Sequence, residues 1–191
     1  MTIYFISLII WLYFLTVFKR NKLESYFFII GSIGNFIFLL KGLMSILIDP
    51  LAKLITYLVG LLGYFFPVIQ SYPQYKLIFL DIGTPISLYI DFECSGILEI
   101  LVFISLILFF SGYNVLNRFS LCIIGTLYII FANVIRILSI IAITSINVRY
   151  YYVAHTLVGR LVFYTLTIIF YYVVFTKNQI LNQKVGNFKY D

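Results

Sequence analysis

Long runs of apolar residues dominate the chain and are separated by short polar stretches. The runs cover residues 2–18, 25–40, 51–67, 96–110, 119–146 and 153–176. A membrane-spanning helix needs about 20 consecutive, mostly apolar residues. The pattern therefore predicts an all-α polytopic membrane protein with about five spanning helices, the run 51–67 being the exception.

The region 51–93 differs from the other runs. Within 51–67, the polar and small residues recur at helical spacing on one face, namely Lys53, Thr56, Gly60 and Gly63. Such a face favours an interfacial or re-entrant helix. Residues 72–93 alternate between apolar and polar positions on either side of Gly83-Thr84-Pro85, which is typical of a small β-hairpin. Because an open strand edge cannot face lipid, the hairpin is expected at the membrane surface or over the helices.

Composition supports a membrane location. The 191 residues are 63% hydrophobic and 10% charged, whereas a soluble domain carries about 25% charged residues. We expect one integral domain over 1–191 in the plasma membrane, with the lipid bilayer as its surroundings. The net charge of +6 is spread over loops and tail, so it bears on orientation, and no nucleic-acid partner is expected.

The basic residues predict the orientation of the helices. They follow the first run, precede the fifth and lie in the tail: Lys19, Arg20, Lys22, Arg118, Lys177, Lys184 and Lys189. Short basic loops lie on the cytoplasmic side. The hairpin, Cys94 and His155 are then extracytoplasmic. The expected segments are two N-terminal helices (1–50), an interfacial helix and hairpin (51–93), a three-helix core (94–176) and a basic cytoplasmic tail (177–191).

The sequence Asp91-Phe92-Glu93-Cys94-Ser95-Gly96 precedes the fourth helix and contains the first candidate for chemistry. A thiol at a helix N-terminus can have its pKa lowered toward neutrality. The alternative is a small buried hydrophobe, which is the usual role of a free cysteine. The only other cysteine, Cys122, fits that alternative.

Two further residues carry candidate chemistry on the same side of the membrane. His155, the only histidine, lies near the start of the last helix and is a candidate acid and base for the thiol. Its alternative role is an interfacial histidine among the tyrosines that precede it. Arg136 lies inside the fifth run, where an arginine is costly, so it should face a partner, either a reacting group or a structural partner such as Glu99.

Supporting roles are expected for the remaining polar residues of these helices. Glu99 should neutralise an intramembrane arginine, either Arg160 or Arg136, and Asn133 precedes Arg136 by one turn. With one histidine, two cysteines and no dense cluster of carboxylates, a structural zinc site is not expected. No cofactor is expected either.

Three short motifs follow one another along the chain: Cys94-Ser95-Gly96 at the start of a helix, Asn133 to Arg136 near the end of the next helix, and His155 to Gly159. Their order resembles that of the exosortase/archaeosortase family. These elements span about a third of the chain, and its size and composition resemble the short Gram-positive type. The chain has fewer helices than larger members of the family.

The resemblance implies a membrane-embedded cysteine peptidase or transpeptidase. Cys94 would be the nucleophile, His155 the acid and base, and Arg136 the stabiliser of the thiolate or oxyanion. Ser95, Gly96 and Asn133, which belong to the matching motifs, would support them, beside the supporting roles already expected of Glu99 and Arg160. The implied substrates are secreted proteins with a C-terminal sorting signal made of a helix and a basic cluster. The new end would pass to water, to a cell-envelope acceptor or into a glycosyltransferase-linked pathway.

Two other interpretations of the residues stay open at this point. In the first, the chain would be a non-catalytic multi-pass protein, either a transporter or a subunit that assembles cell-surface polymers, and its buried charges would form a structural network. In the second, it would be an acyltransferase that uses the same thiol on another substrate.

Overall fold

The computed structural model describes residues 2–63, 69–81 and 85–177, without the side chains of residues 2–4 and 85. Most of this part of the chain is helical. The first four helices are α1 (Thr2–Arg20), α2 (Glu24–Gly63), α3 (Ile97–Phe109) and α4 (Val115–Ile146). The last helix covers Val148–Lys177, and its hydrogen-bond pattern changes along its length.

Within the described residues, three helices are long and apolar enough to cross a membrane, judged by length and composition: α2, α4 and the last helix. The 13-residue α3 is also apolar. At 1.5 Å per residue it measures about 20 Å, which is shorter than a hydrocarbon core of about 30 Å. The prediction of a mostly helical chain with several helices of spanning length is therefore confirmed.

A small antiparallel sheet lies between α2 and α3 in the sequence. Its strands are β1 (Ile69–Tyr72), β2 (Leu77–Asp81) and β3 (Pro85–Tyr89), in the order β1-β2-β3. The predicted hairpin is confirmed as β2 and β3, which pair Ile78 with Leu88. Its turn, residues 82–84, lies outside the described residues. The strand β1 is an addition to the prediction.

The prediction of a separate interfacial or re-entrant helix over 51–67 is wrong for residues 51–63, which belong to α2. Residues 64–67 lie outside the described part of the chain. Instead, α2 continues through Pro50 as one helix of 40 residues. Proline usually ends a helix because it lacks an N–H. Here the residues that follow it are fully buried at helical spacing, which favours continuation of the helix, and they are Ala52, Ile55 and Val59.

The face of small residues on α2 packs against β1. A Cβ added at Gly63 would lie 2.9 Å from Cγ2 of Ile69, and one added at Gly60 would overlap the Ser71 side chain. Thr56 on the same face is fully buried, and its hydroxyl donates to the Ala52 carbonyl at 2.8 Å. The small residues therefore serve the close approach of a strand.

The chain divides into two compact units. The first unit contains Met1–Ile48 and Ile97–Leu127, and the second unit contains Asp49–Gly96 and Tyr128–Asp191. Aromatic packing dominates the first unit, where Trp11 Nε1 donates to the Ile30 carbonyl at 3.0 Å. In the second unit, residues of α2, the sheet and α4 form one hydrophobic cluster, and this cluster includes Cys94.

Candidate active site

Cys94 lies in the loop between β3 and α3, where local hydrogen bonds form a tight turn. Its N–H donates to Oδ1 of Asp91 at 3.1 Å, and the Ser95 hydroxyl donates to the Phe92 carbonyl at 2.9 Å. Gly96 follows with φ at +70°, a left-handed conformation that glycine adopts without steric cost. The turn holds the thiol just before α3, and Cys94 is only 7% exposed.

One face of α4 contacts this turn through two polar side chains. Asn133 is fully buried, and its Nδ2 donates to the Cys94 carbonyl at 2.7 Å. Arg136, one helical turn further on, donates from Nη1 to the Glu93 carbonyl at 3.3 Å, and its Nη2 lies 3.9 Å from Cys94 Sγ. The guanidinium also lies over the Phe163 ring at 5.8 Å, within the range of a cation–π contact.

Two atoms of these side chains are buried without a hydrogen-bond partner among the described residues. They are Oδ1 of Asn133 and Nε of Arg136. Leaving a buried polar group unpaired costs about 1–3 kcal/mol, and folded proteins contain few such groups. The pair therefore gives one unused acceptor and one unused donor on residues that contact the Cys94 loop.

The last helix contributes the imidazole from an irregular turn. It begins with a 3₁₀ turn, and residues Ala154–Val158 form a π-helical segment that contains His155. The distance from His155 Nε2 to Cys94 Sγ is 3.4 Å, which is within hydrogen-bonding range for sulfur. Single π-helical turns occur frequently at functional sites.

The π-helical segment packs closely on α4. A Cβ added at Gly159 would lie 2.8 Å from Cδ1 of Ile140 and 3.2 Å from the Ala154 carbonyl oxygen. Gly159 and Ala154 are both buried. A side chain at position 159 would have to displace Ile140 or part the two helices, so this glycine permits their close approach beside His155.

The predicted lowering of the Cys94 pKa is wrong. Burial raises the pKa of this thiol to about 11, against the opposing positive charge of Arg136, and the Asp91 carboxylate adds to the rise. The cause is that the free-energy cost of removing a thiolate from water exceeds the stabilisation that one guanidinium at 3.9 Å provides. The resting thiol is therefore neutral and needs a base in order to react.

The expected partner of Arg160 also needs correction. Arg160 Nη2 lies 3.8 Å from Oε2 of Glu93, in place of the predicted pairing with Glu99. Glu99 lies in the first turn of α3, in the first unit. Neither of the two ion pairs formed among the described residues contains it.

Sequence reasoning missed the roles of Glu93 and Phe163. Glu93 accepts from Arg136 through its backbone and meets Arg160 through its carboxylate. Its position beside the cysteine was a visible signal, because carboxylates flank the thiol on both sides. Phe163 lies eight residues after His155, which is about two helical turns, and nothing in the sequence singles it out.

A cavity of about 20 Å³ adjoins the thiol. Its buried walls are aliphatic and come from Leu88, Ile90, Ile137 and Ile140, and the more exposed residues around it are Tyr89, Tyr151 and His155. A larger apolar groove of about 440 Å³ lies along α4 and includes Ile69 and Leu138. Both Cys94 and His155 line the small cavity.

In the part of the chain that the structure describes, no group of three or more histidine, cysteine or carboxylate residues has the arrangement of a metal site. Cys122 is a half-buried residue of α4 in the first unit. The structure thus brings together Cys94, Asn133, Arg136 and His155, with Ser95, Gly96 and Arg160 around them.

The geometry was compared with known proteins at the levels of family, sequence and structure. No protein-family model, no curated protein and no solved structure matches this chain. Any assignment of function therefore depends on the residues and distances of the site.

Proposed function

We propose that the protein is a membrane-embedded cysteine peptidase or transpeptidase, as its resemblance to exosortases implies. The observation that carries the proposal is the 3.4 Å distance between Cys94 Sγ and His155 Nε2, with Arg136 Nη2 3.9 Å from the same sulfur. A thiol, an imidazole and a guanidinium from three separate elements thus converge on one point. Nucleophile and base within hydrogen-bond reach are the mark of covalent catalysis.

In the first step, the thiol proton passes to Nε2 of His155 while Sγ attacks a backbone carbonyl of the substrate. A carbon–sulfur bond forms, and the carbonyl π electrons move to its oxygen. Because the resting thiol is neutral, this proton transfer has to accompany the attack. The Arg136 guanidinium offers its unpaired Nε–H and a fixed positive charge to the developing oxyanion.

In the second step, the tetrahedral intermediate collapses and the carbon–nitrogen bond breaks. The protonated His155 gives its proton to the leaving amine, and a thioester remains on Cys94. Water or an acceptor amine then loses a proton to His155 and attacks the thioester, which restores the thiol. The two outcomes correspond to a peptidase and a transpeptidase.

The proposal extends to topology and partners. The protein is a plasma-membrane protein with about five spanning segments, and its thiol faces the extracytoplasmic side because the basic residues at 19–22 mark the cytoplasm. The substrates are secreted proteins that end in a helix and a basic cluster, and the acceptor belongs to the cell envelope. Labelling of a single cysteine at the exposed position 75 by an impermeant reagent in intact cells checks the orientation.

The test of function is processing, in living cells, of a secreted partner from the same organism with such a C-terminus. Cys94→Ala, Cys94→Ser and His155→Gln should abolish processing at normal expression. Arg136→Lys should fail as well, because a point charge does not replace the planar fork. Cys122→Ala is the matched control and should process normally.

Two outcomes would overturn the proposal. One is full processing by Cys94→Ala, and the other is loss of processing in well-expressed Cys122→Ala. In either case the non-catalytic alternative, a transporter or a polymer-assembly subunit with a structural polar network, would replace it.

A further inference from the structure

We propose that the small cavity beside Cys94 receives the side chain of the substrate residue whose carbonyl is attacked, and that it restricts this residue to glycine or alanine. The inference rests on the proposed function and names the substrate class of the same site.

The size of the cavity carries the restriction. Its volume is about 20 Å³, and one water molecule requires roughly 10–15 Å³ measured in this way. The space therefore holds one group of about the size of a methyl. Because Cys94 and His155 both line it, an acyl carbon bonded to the Cys94 sulfur would bring its own side chain to this space.

The walls of the cavity are fixed by packing on their far sides. Leu88, Ile90 and Ile137 belong to the hydrophobic cluster of the second unit, and each is at most 5% exposed. Ile140 packs against Gly159 so closely that a Cβ added at this glycine would lie 2.8 Å from Ile140 Cδ1. There is therefore little space into which Ile140 could move toward the last helix. Forcing extra methylene groups into such a site costs about 1–3 kcal/mol.

The chemistry of the walls disfavours polar side chains of the same size. Four of the five buried lining residues are aliphatic, the fifth being Cys94, so a hydroxyl pointed at those four would give up its hydrogen bonds to water without replacement. Serine should therefore react more slowly than alanine, although the two differ by one atom.

Peptidyl chloromethyl ketones test the inference without knowledge of the natural substrate. In this reaction Sγ displaces chloride from the methylene carbon, chloride leaves with the bonding electron pair, and the thiol proton passes to His155. The series carries Gly, Ala, Ser, Val or Leu next to the ketone on one common peptide. Labelling of Cys94 is followed by mass spectrometry in purified full-length Cys122→Ala protein.

The glycyl and alanyl probes should label at least about tenfold faster than the valyl and leucyl probes. Ile140→Ala should raise the ratio of leucyl to alanyl labelling by about tenfold or more, since it removes part of one wall. Ile141→Ala is the matched control, because Ile141 is also buried, at 5% exposed against 3% for Ile140, but lines the apolar groove and not this cavity. Its ratio should stay at the parent value. Ile140→Val, a milder change, should favour the valyl probe.

The outcomes separate the two proposals. If the leucyl probe labels Cys94 as fast as the alanyl probe, the size restriction is overturned while the nucleophile stands. If every probe labels Cys94 at the same rate in the parent and in His155→Ala, the Cys–His pair itself is overturned, and the subsite with it. A preference for small probes that Ile140→Ala leaves unchanged would assign the restriction to another part of the site.

Discussion

Glycines face large side chains in both compact units, but the groups on the other side of each contact differ. In the first unit, a Cβ added at Gly34 or Gly125 would overlap the ring of Trp11 or Phe103. In the second unit, Gly159 faces Ile140, which lines the cavity shared by Cys94 and His155. The same close approach packs against aromatic rings in one unit and adjoins the cavity beside two reactive side chains in the other.

The largest expected effect concerns the reactivity of the buried thiol in the second unit. Because burial raises the Cys94 pKa to about 11, its thiolate fraction should rise tenfold per pH unit, or about a thousandfold from pH 7 to pH 10. Rates of iodoacetamide labelling in Cys122→Ala protein measure this. A rate that levels off below pH 9 would mean that the thiol is already ionised, as the helix N-terminus alone would predict.

The glycines themselves provide the next test of the comparison. Gly159→Ala should slow labelling of Cys94 by the alanyl chloromethyl ketone about 10–100-fold, since a displacement near 1 Å has that effect on reacting groups. Gly125→Ala should destabilise the fold by about 1–3 kcal/mol through overpacking. Its labelling rate per folded molecule should stay at the parent value.

A compensating change distinguishes a positioning role of Gly159 from general damage. Ile140→Ala in the Gly159→Ala background removes both Cδ1 and Cγ1, which the new Cβ meets at 2.8 and 2.9 Å. The double variant should recover labelling, whereas Ile141→Ala in the same background should not. Failure of both to recover labelling would count against the packing explanation.

Two asparagines extend the comparison to hydrogen bonds. Asn133 Nδ2 donates to the Cys94 carbonyl at 2.7 Å in the second unit, and Asn35 Nδ2 donates to Ser105 Oγ at 3.1 Å in the first. Replacing either by alanine leaves an acceptor without its partner, at a cost of about 1–3 kcal/mol. Both variants should unfold earlier in a detergent thermal melt, but only Asn133→Ala should change the labelling rate of Cys94. Equal labelling rates would assign Asn133 a purely structural role.

How much of this site the sequence predicts differs between its parts. The turn Cys94-Ser95-Gly96 and the polar face of α4 follow from local chemistry, because a Ser-Gly pair favours a turn and an intramembrane arginine needs a partner. Their convergence was predicted from the resemblance and the shared membrane side. The thiol pKa was not predictable, since it depends on burial by residues from the sheet and α4 that are distant in sequence.

The errors in the fold have a similar cause. A separate helix over 51–67 was predicted from its face of polar and small residues, which is a local pattern. The buried residues after Pro50 supply the tertiary packing that continues α2. The hairpin followed from alternation over 72–93. The strand β1 is only four residues long, too short to give a pattern of its own.

The smallest expected effect concerns the exposed ion pair at the edge of the site. The side chains of Arg160 and Glu93 are 47% and 67% exposed and 3.8 Å apart, so their contact should contribute less than about 1 kcal/mol. Arg160→Gln should therefore leave the melting temperature, and the rate at which the alanyl chloromethyl ketone labels Cys94, close to the parent values. Arg136→Gln, at a residue only 5% exposed, should lower both clearly. An effect of Arg160→Gln as large as that of Arg136→Gln would show that the exposed pair is part of the reacting arrangement.

The π-helical segment Ala154–Val158 makes the last helix sensitive to residue number. A π-helical turn contains one residue more than an α-helical turn at the same place. Deleting one residue there would change the segment into an α-helical turn, and the helix on either side would keep its register. The side chains within the turn, His155 among them, would change direction, which would move the imidazole relative to the sulfur. Single-residue insertions and deletions, more than substitutions, are therefore the changes that descendants of this sequence should lack between His155 and Gly159.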